Sequence, residues 1–270
     1  MPDPLAARQL LRAYGIRPQK NLGQNFIVDR EALDDIVLAA ELHGTEDVVE
    51  VGAGLGALTR RLSLTAAQVT AIELDSRLIP ILKAVLQGAD NVDIVAGDVL
   101  SLKLETTPDY RVVANIPYTI TSALLRHYLE ADQPPNRIVL TVQSEVAERA
   151  TAGPGQMSLL ALSIQIYGEP EIRGRIAARA FYPKPEVDSS ILRIDIHSDP
   201  VIGVEWIAPV FRLARSGFTQ RRKKLRNSLG PVLGKEAGDK LREAGIDPSA
   251  RAQELSLGEW EGLARVADLG

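Results

Sequence analysis

Between Val48 and Val142 the chain alternates short apolar runs with segments of helical spacing, and no other feature constrains its fold as strongly. Val48–Val51, Val69–Ile72, Val92–Val95, Arg111–Ala114 and Arg137–Val142 read as strands, and Leu55–Leu64, Ser76–Leu86 and Thr119–Leu129 read as helices. Such alternation predicts an α/β fold with a parallel sheet covered by helices on both faces. Two helices are expected before it. One spans Leu5–Tyr14 and is ended by Gly15-Ile16-Arg17-Pro18; the other is capped by Asp29 and carries Leu33, Ile36, Val37, Ala40 and Leu42. Later β-type runs, Ile172–Ile176 and Ser190–Ile196, are expected at the far edge of the sheet. After His197-Ser198-Asp199-Pro200 the pattern is helical, broken at Gly230, Gly234 and Gly245. The expected organisation is therefore an α/β domain over residues 1–197 and a small all-helical domain over 198–270.

Composition removes several kinds of chemistry. The chain has no cysteine, which excludes disulfides, thiolate nucleophiles, Fe–S clusters and cysteine-based zinc sites. His43, His127 and His197 stand far apart, so no metal site is expected. No run reaches the roughly 18 apolar residues of a membrane span. The N-terminal Arg8, Arg12 and Arg17 come without a signal-peptide apolar core, so a soluble cytoplasmic protein is expected. Net charge is −4, yet from Trp206 to Gly234 there are seven basic residues and no acidic one. Arg212, Arg215, Arg221, Arg222, Lys223, Lys224 and Arg226 thus form a candidate phosphate-contacting face, whose alternative is an ordinary solvated helix face.

Three ligand-type groups follow three consecutive strands. Glu50-Val51-Gly52-Ala53-Gly54-Leu55-Gly56 joins a strand to a helix, and Gly52 and Gly54 would let the backbone approach a ligand closely. Glu73 ends the next strand about twenty residues on, where a carboxylate accepts from the two hydroxyls of a ribose. Asp98, after Gly97, follows the third strand and is placed to accept from an adenine amino group. Open α/β sheets bind ligands at this carboxyl edge. The set specifies an adenosine cofactor and leaves a nicotinamide dinucleotide and S-adenosylmethionine both open. The spacing G-x-G-x-G differs from the G-x-G-x-x-G of dinucleotide binders.

Asn115-Ile116-Pro117-Tyr118 follows the strand Arg111–Ala114. Here the chain resembles the rRNA adenine N6,N6-dimethyltransferases, most closely their small-subunit branch. The resemblance extends to Lys20-Asn21-Leu22-Gly23-Gln24-Asn25-Phe26, to Phe181-Tyr182-Pro183-Lys184-Pro185-Glu186-Val187-Asp188-Ser189, and to Phe218-Thr219-Gln220-Arg221-Arg222-Lys223-Lys224-Leu225-Arg226-Asn227. It implies a Rossmann-like domain using S-adenosylmethionine, with Asn25 and Ile27 at the methionine end of the cofactor. It further implies dimethylation of two adjacent adenosines near the 3′ end of 16S rRNA in the small ribosomal subunit, by a monomer.

The chemistry of that motif can be argued separately. The exocyclic adenine nitrogen is a poor nucleophile because its lone pair is delocalised into the ring. The Asn115 side-chain carbonyl and the Ile116 backbone carbonyl can accept from its N–H groups, and Pro117 fixes the turn that aims the second acceptor. Tyr118 can stack on a flipped-out base, with Phe181 on its other face or else packed as core. Two other readings share the fold: a large-subunit rRNA adenine dimethylase of the macrolide-resistance type, and a non-catalytic ribosome assembly factor. Intact Asn115 and Tyr118 oppose the second, and the Arg221–Asn227 segment opposes the first.

Overall fold

A computed structural model of the chain describes residues 3–19, 22–117 and 120–268. In chain order it contains α1 (Ala7–Ala13), β1 (Phe26–Ile27), α2 (Arg30–Ala40), β2 (Asp47–Val51), α3 (Ala57–Leu62), β3 (Gln68–Glu73), α4 (Ile79–Val85), β4 (Val92–Ala96), β5 (Tyr110–Asn115), α5 (Thr121–Leu129) and β6 (Arg137–Gln143). There follow α6 (Ser144–Ala150), α7 (Leu159–Gln165), β7 (Gly168–Ile176), β8 (Phe181–Tyr182) and β9 (Ser189–Ile196). The last helices are α8 (Val204–Thr219), α9 (Leu225–Ser228), α10 (Gly230–Leu233), α11 (Ala237–Glu243) and α12 (Leu257–Val266). None of the described helices is long and apolar enough to cross a membrane.

Two compact units result, Met1–Ala147 with Glu171–Ile196, and Glu148–Pro170 with His197–Gly270. The first is built on a seven-stranded sheet in the order β4-β3-β2-β5-β6-β9-β7. Strands β2 to β6 pair in parallel and β9 pairs antiparallel with β6. Burial explains the composition of the strands. Ile138, Val139, Leu140 and Val142 of β6 are all at most 1% exposed, as expected of a strand covered on both faces. The edge strand β4 has no buried residue and carries Asp93 outward. Helix α2 starts where Asp29 accepts a hydrogen bond from the Ala32 N–H at 3.0 Å, a cap worth about 1 kcal/mol. Its Leu33, Ile36 and Ala40 join Val48, Val113 and Val139 in one cluster.

Helices start later than periodicity predicts. The glycine turn occupies the positions before Ala57, with Gly56 (φ +81°) as the N-cap of α3. A turn across residues 76–78, held by Asp75, precedes α4, whose first turn contains Pro80. The antiparallel pairing of β1 with β8 has no periodic signal in two-residue strands.

The second unit packs α8, α9, α11 and α12 around Trp260, which is fully buried. A Cβ on Gly217 of α8 would lie 3.0 Å from the Trp260 ring and 3.1 Å from Ala252, so a glycine is needed where this helix approaches. Met157, Ala161, Leu162 and Ile166 belong to the same cluster, which is why residues 148–170 fall in this unit together with the C-terminal helices.

Candidate active site

Because β2, β3 and β5 run parallel, their C-terminal ends open together onto one cavity. Glu50, Gly52, Gly54, Glu73, Asp98, Asn115, Ile116 and Pro117 all line it, joined by Asn25 and Ile27 from the N-terminal segment. Among the described residues no group of three or more His, Asp or Glu is arranged to hold a metal ion.

At the end of β3, Glu73 is held by backbone alone. The Gly54 N–H donates to its Oε2 and the Asp75 N–H to its Oε1, each at 2.7 Å. Burial pushes its pKa up, against the pull of those two N–H groups. Each oxygen keeps a lone pair for a further donor. The turn that supplies Gly54 depends on its glycines: Gly54 has φ +58°, and a Cβ there would lie 3.1 Å from the Phe26 ring. Glu50, 1% exposed, also lines the cavity, and its Oε2 has no hydrogen-bond partner among the described residues. Burial pushes Glu50 up to about 8; Thr59 pulls it down and the neighbouring Glu73 charge adds to the rise. Asp98 is exposed in the turn after β4 and accepts from the Leu100 N–H at 3.0 Å through Oδ1.

Asn115 ends β5. Its Nδ2 donates to the Asn25 carbonyl at 3.0 Å, which fixes the amide and leaves Oδ1 as the acceptor. Asn25 in turn donates from its own Nδ2 to the Gly23 carbonyl at 3.3 Å. Gly23 (φ +60°) is packed against Pro117: a Cβ on it would come within 2.7 Å of Pro117 Cβ. The N-terminal segment therefore holds both the amide and the proline of the Asn-Ile-Pro motif. Tyr118, Lys20 and Asn21 lie outside the described residues. Phe181 is not among the residues that line the cavity. It pairs with Ile27 across β8 and β1, is 4% exposed, and fills the cluster of Leu33 and Ile36.

Sequence reasoning missed the clamp that holds this segment down. Gln24 Nε2 donates to Asp75 Oδ2 at 2.8 Å, and its Oε1 accepts from the Gln19 N–H at 2.8 Å. Arg77 grips the same Asp75 carboxylate with Nε at 2.8 Å and Nη2 at 2.6 Å, which holds Asp75 below the usual carboxylate range. Gln24 was visible within a motif, but nothing local announces a partner 51 residues away in the turn after β3. In the second unit Arg212 and Arg215 lie on α8, Arg221, Arg222, Lys223 and Lys224 in the turn after it, and Arg226 on α9, all of them exposed.

A largely parallel sheet whose second strand ends in Glu73 and whose fourth ends in an Asn-Ile-Pro turn, both at one cavity, is the arrangement of a Rossmann-like S-adenosylmethionine-dependent methyltransferase. A family model described as ribosomal RNA adenine dimethylase matches residues 16–268, and the chain belongs to that family. A ribosomal RNA small subunit methyltransferase A of Dehalococcoides mccartyi strain 195 is 41% identical to it over 96% of this chain and 92% of the relative. That of Moorella thermoacetica is 41% identical over 95% of both chains. Among solved structures, the 23S rRNA methyltransferase ErmE is 30% identical, with a TM-score of 0.72 over 90% of this chain and 99% of that one. A dimethyladenosine transferase from Plasmodium falciparum shares the fold at a TM-score of 0.77. The chain is thus an enzyme, an rRNA adenine methyltransferase that uses S-adenosylmethionine. The cavity suits that cofactor: Glu73 offers two oxygens with unused lone pairs, and Glu50 Oε2 is buried without a hydrogen-bond partner among the described residues.

Proposed function

We propose that the chain dimethylates N6 of two adjacent adenosines in the 3′-terminal hairpin loop of small-subunit (16S) rRNA, as a step of small-subunit biogenesis in the cytoplasm. The observation that carries this reading is the 41% identity, across nearly the whole of both chains, to a relative named for the small subunit. The intact Asn115-Ile116-Pro117-Tyr118 motif supports catalysis over a purely assembly-related role.

S-adenosylmethionine supplies an electrophilic sulfonium methyl when bound. Glu73 would accept from the ribose hydroxyls, Asp98 from the adenine amino group, and Asn25 and Ile27 would border the methionine end. Gly52 and Gly54 keep side chains out of the way of the cofactor backbone. Asn115 Oδ1, oriented by the Asn25 carbonyl, accepts from one N–H of the target amine, and the Ile116 carbonyl from the other. Those acceptors favour a pyramidal nitrogen whose lone pair is free to attack. Pro117 holds the turn and Tyr118 stacks on the extruded base, worth about 1–3 kcal/mol. Phe181 reaches a base only if its ring leaves the cluster it fills, so stacking rests on Tyr118. The remaining acceleration is alignment. The basic residues Arg212 to Arg226 would contact phosphates and make substrate binding salt-dependent.

Expression in a macrolide-susceptible bacterium, with labelled S-adenosylmethionine offered to both purified subunits, tests the choice of substrate. Label in small subunits and unchanged susceptibility are expected. Label in large-subunit rRNA with acquired resistance would reassign the enzyme to the large subunit.

A further inference from the structure

The turn after β3 supports two parts of the active site at once. The Asp75 N–H donates to the Glu73 carboxylate at 2.7 Å, and the Asp75 side chain accepts from Gln24 Nε2 at 2.8 Å. That side chain is only 5% exposed, and Arg77 holds it with its backbone N–H at 3.1 Å as well as with its guanidinium. With its amide oxygen toward the guanidinium, Gln19 accepts from Arg77 Nη2 at 2.8 Å. Gln24 also closes the turn in which it lies. Its Oε1 accepts from the Gln19 N–H, and its own N–H donates to the Gln19 carbonyl at 3.4 Å. Just beyond it, Phe26 and Ile27 pair with Tyr182 and Phe181, and the Val28 N–H donates to the Ala180 carbonyl at 2.8 Å. Asn25 is therefore the single residue between two anchors, and its carbonyl is the group that accepts from Asn115 Nδ2. A one-residue span leaves that carbonyl little freedom while both anchors hold.

We propose that Gln24 is a positioning residue for methyl transfer: tied to Asp75, it fixes the Asn25 carbonyl and through it the direction of Asn115 Oδ1. A carboxamide is planar, so the partner that takes Nδ2 also decides where Oδ1 points. A displacement of about 1 Å at reacting groups costs up to about 100-fold in rate. An amide suits position 24, because it donates to a carboxylate with one end and accepts from a backbone N–H with the other; neither Lys nor Met can do both. Since Asp75 also supports Glu73, one turn steadies the acceptor proposed for the ribose and the acceptor proposed for the amine. The proposal rests on the role given to Asn115 above.

Gln24→Met keeps the volume of the side chain and removes both of its hydrogen bonds. Asp75 keeps Arg77, so no buried charge is stranded, and the pairing of β1 with β8 still ties the segment down. Single-turnover methyl transfer is measured on the rRNA that the parent methylates. Gln24→Met is expected to be about 10- to 100-fold slower at saturation, with the half-saturating RNA concentration unchanged. Gln24→Glu is expected to be slower still at about pH 8, where its carboxylate faces Asp75. It should recover relative to the parent as pH falls to about 6, because a protonated carboxyl donates to Asp75 as the amide did. The charged groups facing that side chain, Asp75 and Arg77, keep their charges over this range. Asn115→Ala is measured in parallel. A slow Asn115→Ala beside a Gln24→Met that transfers at the parent's rate would overturn the proposal and leave the reading of Asn115 standing; an Asn115→Ala as fast as the parent would overturn both. A Gln24→Met that melts lower but transfers at the parent's rate when folded would make Gln24 a stabilising residue only, and would overturn the proposal as well.

Discussion

At the amino-terminal edge of the sheet, Arg111 donates to Glu46 at 2.9 Å and to the carbonyls of Ala40 and Glu41. Arg137 there joins Glu41 to Asp195, and Arg193 binds the same two carboxylates. At the carboxyl edge of the same strands, among the described residues, Glu73 meets only backbone N–H groups and Glu50 keeps one oxygen without a hydrogen-bond partner. The consequences for ionisation are opposite. Arg193 heads the groups that hold Glu41 below the ordinary carboxylate range, and Glu46 is also held below it, its burial outweighed by the His43 N–H and other donors. Burial instead raises Glu50 and Glu73. One edge uses its charges to tie elements together; the other leaves acceptor capacity open at some cost in stability, as functional sites commonly do.

The contrast can be broken first at Glu50. Its carboxyl keeps a proton in the folded state up to about pH 8, against an ordinary value of 4.5. The stability it contributes is therefore fully present below about 4.5 and is lost as pH rises through about 8, a change on the order of 5 kcal/mol. Thermal unfolding of the cofactor-free protein across that range should show the fall, and Glu50→Gln should flatten it. A parent protein whose melting temperature is constant over the range would mean that Glu50 is paired after all.

On the proposed mechanism, Asn115→Ala removes the acceptor for the target amine. Single-turnover methyl transfer should drop about 10²- to 10³-fold, by analogy with loss of one preorganised polar group at a transition state. Calorimetric affinity for S-adenosylmethionine should stay within a few-fold, and equal loss of both would remove the assigned role. At the opposite edge, Arg111→Ala strands the Glu46 side chain, only 4% exposed, together with two carbonyls. We expect a loss of about 3 kcal/mol in urea unfolding, with kcat unchanged where the variant is folded. A catalytic defect without a stability defect would erase the distinction between the edges. Glu73→Gln should be a milder change, weakening S-adenosylmethionine about ten-fold and lowering the melting temperature of the free protein, because the amide NH2 must face one of the two backbone N–H groups that now donate to the carboxylate.

The sequence makes one edge far more legible than the other. Glu73, Asp98 and Asn115 each terminate a run of apolar residues, so strand periodicity alone places them at one end of a parallel sheet. The ion network is illegible because Glu41, Arg111, Arg137 and the Arg193/Asp195 pair of β9 come from four separate places in the chain, and nothing local brings the four together. The same holds for Gln24 with Asp75, which are 51 residues apart. Glu50 is visible as part of the glycine motif, but its missing partner is a property of packing. Phe181 reads as a stacking ring ahead of core because it stands before two prolines in the family motif, and the structure buries it against Ile27 through a two-residue pairing that leaves no periodic trace. Residues 148–170 carry no composition break. Only the contacts of Met157 and Leu162 with the C-terminal helices reveal their unit.

The most direct test is methyl transfer from labelled S-adenosylmethionine to undermethylated small ribosomal subunits, followed by nuclease digestion and mass mapping of the modified nucleosides. The account predicts N6,N6-dimethyladenosine at two adjacent positions near the 3′ end of the small-subunit rRNA, and none when Asn115→Ala replaces the parent. Label at any other nucleoside, or dimethyladenosine formed equally well by Asn115→Ala, would contradict it.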